Sequence, residues 1–199
     1  MKPLNEDSDK KKIIVEKYNS TSSFYDDRYR KIQNEKYTQL FKTTYFKYKT
    51  LLDAGCGTGL LFEYISNLNF TNINRNLRYI GLDISWEMLK HFYNKTEKLN
   101  YKGKTNLILG DIENLPFRED KFNLIFSITS LQNLKDLKNG LEEIIRVGKK
   151  NAALKLSILR KQLPLEEVIT YLNSLTNNLM VDNFEDIEDV IIQGKLLKD

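Results

Sequence analysis

One short run constrains this chain more than any other: Asp53-Ala54-Gly55-Cys56-Gly57-Thr58-Gly59. Its aspartate closes a short apolar strand, Thr50 to Asp53, and Leu60, Leu61, Tyr64 and Ile65 after it fall on one face of a helix. Glycines at 55, 57 and 59 let the backbone turn sharply from strand to helix. They also let a ligand approach the main chain with no Cβ in the way. The helix start beyond them offers unpaired N–H groups. A dinucleotide-binding turn wants Gly-x-Gly-x-x-Gly. Counted from Gly55, its third glycine falls on Leu60, so the spacing is Gly-x-Gly-x-Gly and a nicotinamide dinucleotide is disfavoured. A glycine turn alone says little, because many tight turns are glycine-rich.

The strand–helix alternation continues beyond the turn. Leu77 to Asp83, Thr105 to Leu109, Phe122 to Ser127 and Ala152 to Ile158 read as strands, and Asn178 to Phe184 and Val190 to Leu196 can supply two more. Between them Met88, Leu89, Phe92 and Tyr93 fall at helical spacing behind a plausible N-cap, Ser85. Leu134, Leu137, Leu141, Ile144 and Ile145 mark a further helix, and Leu165, Val168, Ile169 and Leu172 another, opened by Pro164. Such alternation predicts an α/β fold: a mostly parallel, doubly wound sheet with helices on both faces. Residues 13–46 read as helical, interrupted at Ser20-Thr21-Ser22-Ser23. Residues 1–12 read as a disordered tail. The expectation is a single domain over 1–199, with an N-terminal helical segment at 13–46 and the core at 47–199.

Composition narrows the class. The 199 residues suit one core, and no apolar run approaches the roughly 20 residues of a membrane helix. The polar start, Met1 to Lys12, is unlike a signal peptide. The single cysteine, Cys56, excludes an internal disulfide and a thiolate-rich zinc site, so a cytoplasmic protein is the simplest reading. Residues 1–50 carry 12 Lys and Arg against 7 Asp and Glu, or +5 of the chain's +4, leaving −1 for the rest. A basic N-terminal third attracts phosphate-rich partners or is simply a solvated lysine-rich segment.

Two more carboxylates give the glycine turn its weight. Asp83 ends the second strand and Gly110-Asp111 follows the third. In an open α/β sheet, ligands bind outside the carboxyl ends of the strands, where an acid can accept from both hydroxyls of a ribose. Asp111 is suited to accept from the exocyclic amine of adenine, with Ile112 or Trp86 on the ring face. Each aspartate alone is equally well a turn former. Three at the ends of three successive strands form a constellation.

At these residues the sequence resembles the class I S-adenosylmethionine-dependent methyltransferases. Leu51-Leu52-Asp53-Ala54-Gly55-Cys56-Gly57-Thr58-Gly59 is similar to their first motif, Tyr79 to Ser85 to the second, Gly110 to Phe117 to the third, and Phe122-Asn123-Leu124-Ile125-Phe126-Ser127 to the fourth strand. The likeness spans about residues 24–160 and is most similar to the ubiquinone-biosynthesis-like type. It implies a Rossmann-like sheet of seven strands in the order 3-2-1-4-5-7-6, with S-adenosyl-L-methionine as cofactor. Asn123 departs from a frequent aspartate there. Phe24-Tyr25-Asp26-Asp27-Arg28-Tyr29 resembles the Tyr-Asp-x-x-Tyr segment that lids the donor in such enzymes, although two tyrosines can equally pack a helix onto the sheet. Donor contacts are thereby expected at Tyr25, Tyr29, Asp53, Gly55, Cys56, Gly57, Gly59, Asp83, Ile84, Asp111, Ile112 and Ser127, with no metal.

Methyl transfer mainly requires alignment of donor and acceptor. The segment Ser127 to Asn133 is expected to face the acceptor. It lacks the Asn-Pro-Pro-Tyr of enzymes acting on amide or exocyclic nitrogens, and no general base is visible. The acceptor stays open between a tRNA or translation-related protein and a small metabolite. A small zinc-binding activator subunit pairing with the sheet edge at Thr105 to Leu109 is a further expectation. The alternative is a catalytically inactive donor-binding or scaffold protein of the same fold.

Overall fold

A computed structural model of the protein describes residues 6–42, 50–68, 77–99, 105–161 and 164–198. Among these, seven strands form one sheet: β1 (Thr50–Ala54), β2 (Arg78–Asp83), β3 (Thr105–Leu109), β4 (Phe122–Ile128), β5 (Gly148–Leu159), β6 (Thr176–Asn183) and β7 (Asp189–Leu196). Their order is β3-β2-β1-β4-β5-β7-β6, as the resemblance implies. Pairing is parallel from β3 to β5, and β7 runs antiparallel to both β5 and β6. The helices are α1 (Glu6–Phe41), α2 (Leu60–Asn67), α3 (Trp86–Lys98), α4 (Leu137–Val147) and α5 (Leu165–Leu175).

Successive residues of a strand point to opposite faces, so a strand buried on both faces must be apolar at every position. Leu51 and Leu52, Tyr79 and Ile80, Leu124 and Ile125, Ala153 and Leu154, and Ile191 and Ile192 divide in this way. The first of each pair packs with α1, α2 and α3, and the second with α4 and α5. Because β1 to β4 are parallel, their carboxyl ends share one edge of the sheet, which brings Asp53, Asp83, Asp111 and Thr129 into one neighbourhood.

The N-terminal segment differs from expectation. Helix α1 starts at Glu6, inside the stretch read as a tail, and runs unbroken through Ser20 to Ser23. The hydroxyls there cap nothing. Ser20 Oγ and Thr21 Oγ1 each donate to the carbonyl of Lys17 at 2.9 Å, and Ser22 Oγ donates to that of Asn19 at 3.0 Å. Such back-bonding satisfies serine and threonine inside a helix, so they lose their role as breakers. At 1.5 Å per residue the 36-residue helix is about 54 Å long, enough to cross the whole functional edge of the sheet. Residues 1–5, and the boundary expected near 46–47, lie outside the described residues.

Candidate functional site

The glycine turn closes over the end of β2. Gly55 and Cys56 both donate their N–H to the carbonyl of Leu82, at 2.8 and 3.0 Å. Gly55 has φ +83°, and a Cβ there would lie 2.2 Å from Ser130 Oγ, so position 55 excludes any side chain for two independent reasons. Gly57 is also left-handed, at φ +52°, but a Cβ on it would meet nothing within 4 Å. Its bare backbone therefore faces open space that a side chain would fill.

Asp83 ties the turn to the next element. One carboxylate oxygen accepts from Gly57 N and the other from Ser85 N, both at 2.8 Å. Burial pushes its carboxyl up, and these backbone hydrogen bonds work in the opposite direction. Ser85 is the N-cap expected for α3, accepting from Met88 N at 3.2 Å. Asp111 accepts from Glu113 N at 2.9 Å and from Lys11 Nζ at 2.6 Å. The cavity between these groups holds about 80 Å³ and is lined by Gly55, Gly57, Asp83, Ile84, Asp111 and Ile112. Tyr25 also lines it, while Asp53 and Cys56 line a smaller chamber just behind.

Helix α1 roofs this cavity, with Lys11, Ile14, Tyr18 and Tyr25 among its lining. Lys11 also pairs with Glu113 at 2.6 Å; burial works against its charge, but its bonds to Asp111 and Glu113 prevail and its pKa is raised. Tyr18 accepts from Asn133 Nδ2 at 2.9 Å, and Asn19 accepts from Ser85 Oγ at 2.7 Å. Burial, above all, raises the pKa of Tyr18 and Tyr25 and keeps both phenols neutral. Further along, Asp26 accepts from Thr58 of the glycine turn and pairs with Lys95 at 2.6 Å and Arg30 at 3.2 Å.

Beyond Tyr25 the helix is pinned by a buried ion pair. Lys36 Nζ lies 2.7 Å from Asp189 Oδ1 and donates to Thr129 Oγ1 at 2.7 Å. Thr129 in turn donates to Asp189 Oδ2 at 2.8 Å. Thr129 has φ +56°, an outlier for a β-branched residue, and with Ser130 and Asn133 it lines the cavity on the β4 side.

Tyr29, Gly59 and Ser127 do not line either space. Tyr29 packs its ring against that of Tyr25, with centroids 4.7 Å apart and planes tilted by 44°. Gly59 begins α2 against the Phe92 ring, and Ser127 is fully buried within β4. Trp86 is 55% exposed and lies beside Leu109, outside the cavity, whereas Ile84 and Ile112 line it. Ile14 and Tyr18 fall on an apolar stripe that the sequence marks for burial, but their place in the cavity lining, like that of Lys11 and Gln33, depends on the path of α1.

A family model described as a methyltransferase domain matches residues 46–196, and the chain belongs to that family, as one of the class I S-adenosylmethionine-dependent methyltransferases. The malonyl-[acyl-carrier protein] O-methyltransferase of Hamiltonella defensa is 35% identical over 109 residues, covering 55% of this chain and 37% of that protein. The chain spans between 37% and 62% of the length of three curated relatives it matches. Among solved structures, magnesium protoporphyrin IX methyltransferase from Synechocystis PCC 6803, with bound S-adenosylmethionine, superposes with a TM-score of 0.73 at 16% identity, covering 98% of this chain and all of that one. A complex of the Haloferax volcanii Trm112 methyltransferase activator with a methyltransferase gives a TM-score of 0.64 at 15% identity, covering 91% and 98%. The cofactor of the class is S-adenosyl-L-methionine. The residues present fit it: the bare backbone at Gly57 faces open space, the half-buried Asp83 carboxylate stands beside it, and Asp111 and Ile112 stand at the end of the next strand.

Proposed function

We propose that this chain transfers a methyl group from S-adenosyl-L-methionine to a small, uncharged acceptor. The observation that carries the donor half is the hold of Gly57 N–H on the Asp83 carboxylate at 2.8 Å beside open space. In that arrangement Asp83 takes the ribose hydroxyls, Asp111 the adenine amine, and Ile84 and Ile112 the ring faces. The donor supplies a methyl carbon activated by positive sulfur. The chain's own residues bind, align and exclude water. Tyr25 and its neighbours on α1 close the cavity from above.

The acceptor half rests on the chemistry of the walls. Ile14, Tyr18 and Leu134 meet Thr129, Ser130 and Asn133 there, all uncharged, and the basic group of the helical roof, Lys11, is paired with Asp111 and Glu113. Such walls favour a small neutral molecule over a tRNA, whose phosphates call for exposed cations. A small partner subunit of the zinc-binding activator kind belongs to the same reading. Among the described residues edge strand β3 pairs only with β2, and Trp86, Tyr93 and Leu109 are 55%, 43% and 56% exposed beside it.

Radiolabelled methyl donor, incubated with the protein and fractionated extract, tests the proposal. Label is expected in the small-molecule fraction and absent with Asp83→Ala. Label in RNA or protein overturns the acceptor class. Binding of S-adenosylhomocysteine with no transfer to any fraction favours an inactive scaffold.

A further inference from the structure

Two carboxylates hold Lys11, and they are themselves held in different ways. Lys11 Nζ lies 2.6 Å from Asp111 Oδ2 and 2.6 Å from Glu113 Oε2, and an ammonium with three N–H groups can serve both at once. Both acids line the cavity. The Asp111 side chain is 26% exposed and accepts from Glu113 N through Oδ1, so among the described residues Lys11 is the sole partner of Oδ2. The Glu113 side chain is only 6% exposed. Its Oε1 accepts from Lys135 N at 2.6 Å and from Asp136 N at 3.2 Å, at the entry to α4, and its carbonyl accepts from Asn139 Nδ2 at 2.7 Å. A ligand amine can therefore take Asp111 away from Lys11, while Glu113 stays where the start of α4 fixes it.

We infer that Glu113 is a positioning residue: through Lys11 it keeps the roof helix closed over the methyl donor once the adenine amine has taken Asp111. This rests on the reading of Asp111 as the partner of that amine. In the free protein Lys11 bridges two acids; in the occupied protein it hangs on Glu113 alone. The two acids stand two residues apart on one loop, so Lys11 changes partner without α1 leaving its seat. Lys10 donates to the Leu134 carbonyl alongside and keeps the same stretch of α1 in register. Losing Glu113 then removes the only acid that holds Lys11 in the occupied state, but one of two in the free state. Its loss accordingly speeds the departure of a ligand more than its arrival.

Stopped-flow binding of S-adenosylhomocysteine to the full chain tests this through its two rates. Glu113→Gln keeps an oxygen for Lys135 N and Asp136 N but removes the charge that holds Lys11. It is expected to speed dissociation about fivefold and to change association less. Lys11→Ala is expected to speed dissociation by the same factor. The double variant is expected to dissociate no faster than Lys11→Ala, because both changes remove one contact. A Glu113 that served only the entry to α4 would instead add its effect to that of Lys11. Unchanged dissociation in Glu113→Gln, equal gains in its two rates, or additive effects in the double variant overturns the inference. Should Glu113→Gln fail to fold, Lys11→Ala decides, and unchanged dissociation there overturns it as well. If wild type does not bind S-adenosylhomocysteine, the methyl-donor reading itself fails and takes this inference with it.

Discussion

The two ends of α1 hold to the same sheet by opposite means. Toward its N-terminus the helix is tethered by partly exposed polar contacts, Lys11 to Asp111 and Glu113, Lys10 to the Leu134 carbonyl, and Tyr18 to Asn133. Toward its C-terminus it is anchored by the buried Lys36–Asp189 pair and by Tyr37, Leu40 and Phe41 in the core. Exposed ion pairs contribute about 0–1 kcal/mol each, whereas removing one partner of a buried pair costs about 3–5 kcal/mol. One continuous helix thus has a releasable half over the cavity and a fixed half beside it. The cavity of about 80 Å³ is smaller than the roughly 300 Å³ at the lower end of small-molecule sites. Ligand entry accordingly calls on the weakly held half to shift.

The largest effect should come from the anchor. Lys36→Met leaves Asp189 buried without its cation and should cost about 3–5 kcal/mol in urea unfolding. Adding Asp189→Leu should recover most of that loss. A single variant as stable as wild type would show that α1 is not held there. Gly55→Val comes next. Its strain of about 1–3 kcal/mol, added to the clash with Ser130, should abolish S-adenosylhomocysteine binding in calorimetry. Gly57→Ala lacks the clash, so its thermal midpoint should fall less, while its methyl group still enters the space facing the ligand. Equal thermal losses would mean that the Ser130 contact is unimportant.

Two buried aspartates sharpen the comparison, because Asp189 has its lysine and Asp53 has none among the described residues. Asp53 is faced by Tyr79 and Asp83 from β2, Tyr37 from α1 and Cys56 from the turn, none of them cationic. Its folded pKa of about 7 lies above the unfolded value near 4, so the folded state binds the extra proton. Stability is therefore lost as pH rises from about 4 to 7. Asp53→Asn should gain on wild type across that window, by on the order of 4 kcal/mol at pH 8, in chemical unfolding. A pH-independent difference would place the titration elsewhere. The smallest effect belongs to the tether. Lys11→Ala should change stability by less than about 1 kcal/mol, yet speed S-adenosylhomocysteine association in stopped flow by freeing Asp111. Slower association would make Lys11 part of the binding surface and not a tether.

Much of the fold was legible because its signals are local. Apolar runs such as Leu51-Leu52 and Ile191-Ile192 announce strands covered on both faces, Ser85 announces the start of α3, and the glycine spacing separates this turn from a dinucleotide turn. Once parallel pairing is inferred, Asp53, Asp83 and Asp111 must share an edge, so the acidic side of the site follows from strand ends alone. The α1 region was misread at Ser20 to Ser23, because whether a hydroxyl caps a helix or bonds back into it depends on the path of the chain around it.

The sequence by itself determined the alternation of elements, the glycine turn and the identity of the carboxylates at the strand ends, since each is written in residues a few positions apart. Only the tertiary structure decided which side chains roof the cavity. Lys36 meets Asp189, Lys11 meets Asp111, and Gln33 arrives beside Asp53 through the path of one long helix across the sheet. No local periodicity encodes that path. Buried charge and amide groups must find partners wherever the packed chain brings them, and those partners come from distant parts of the sequence.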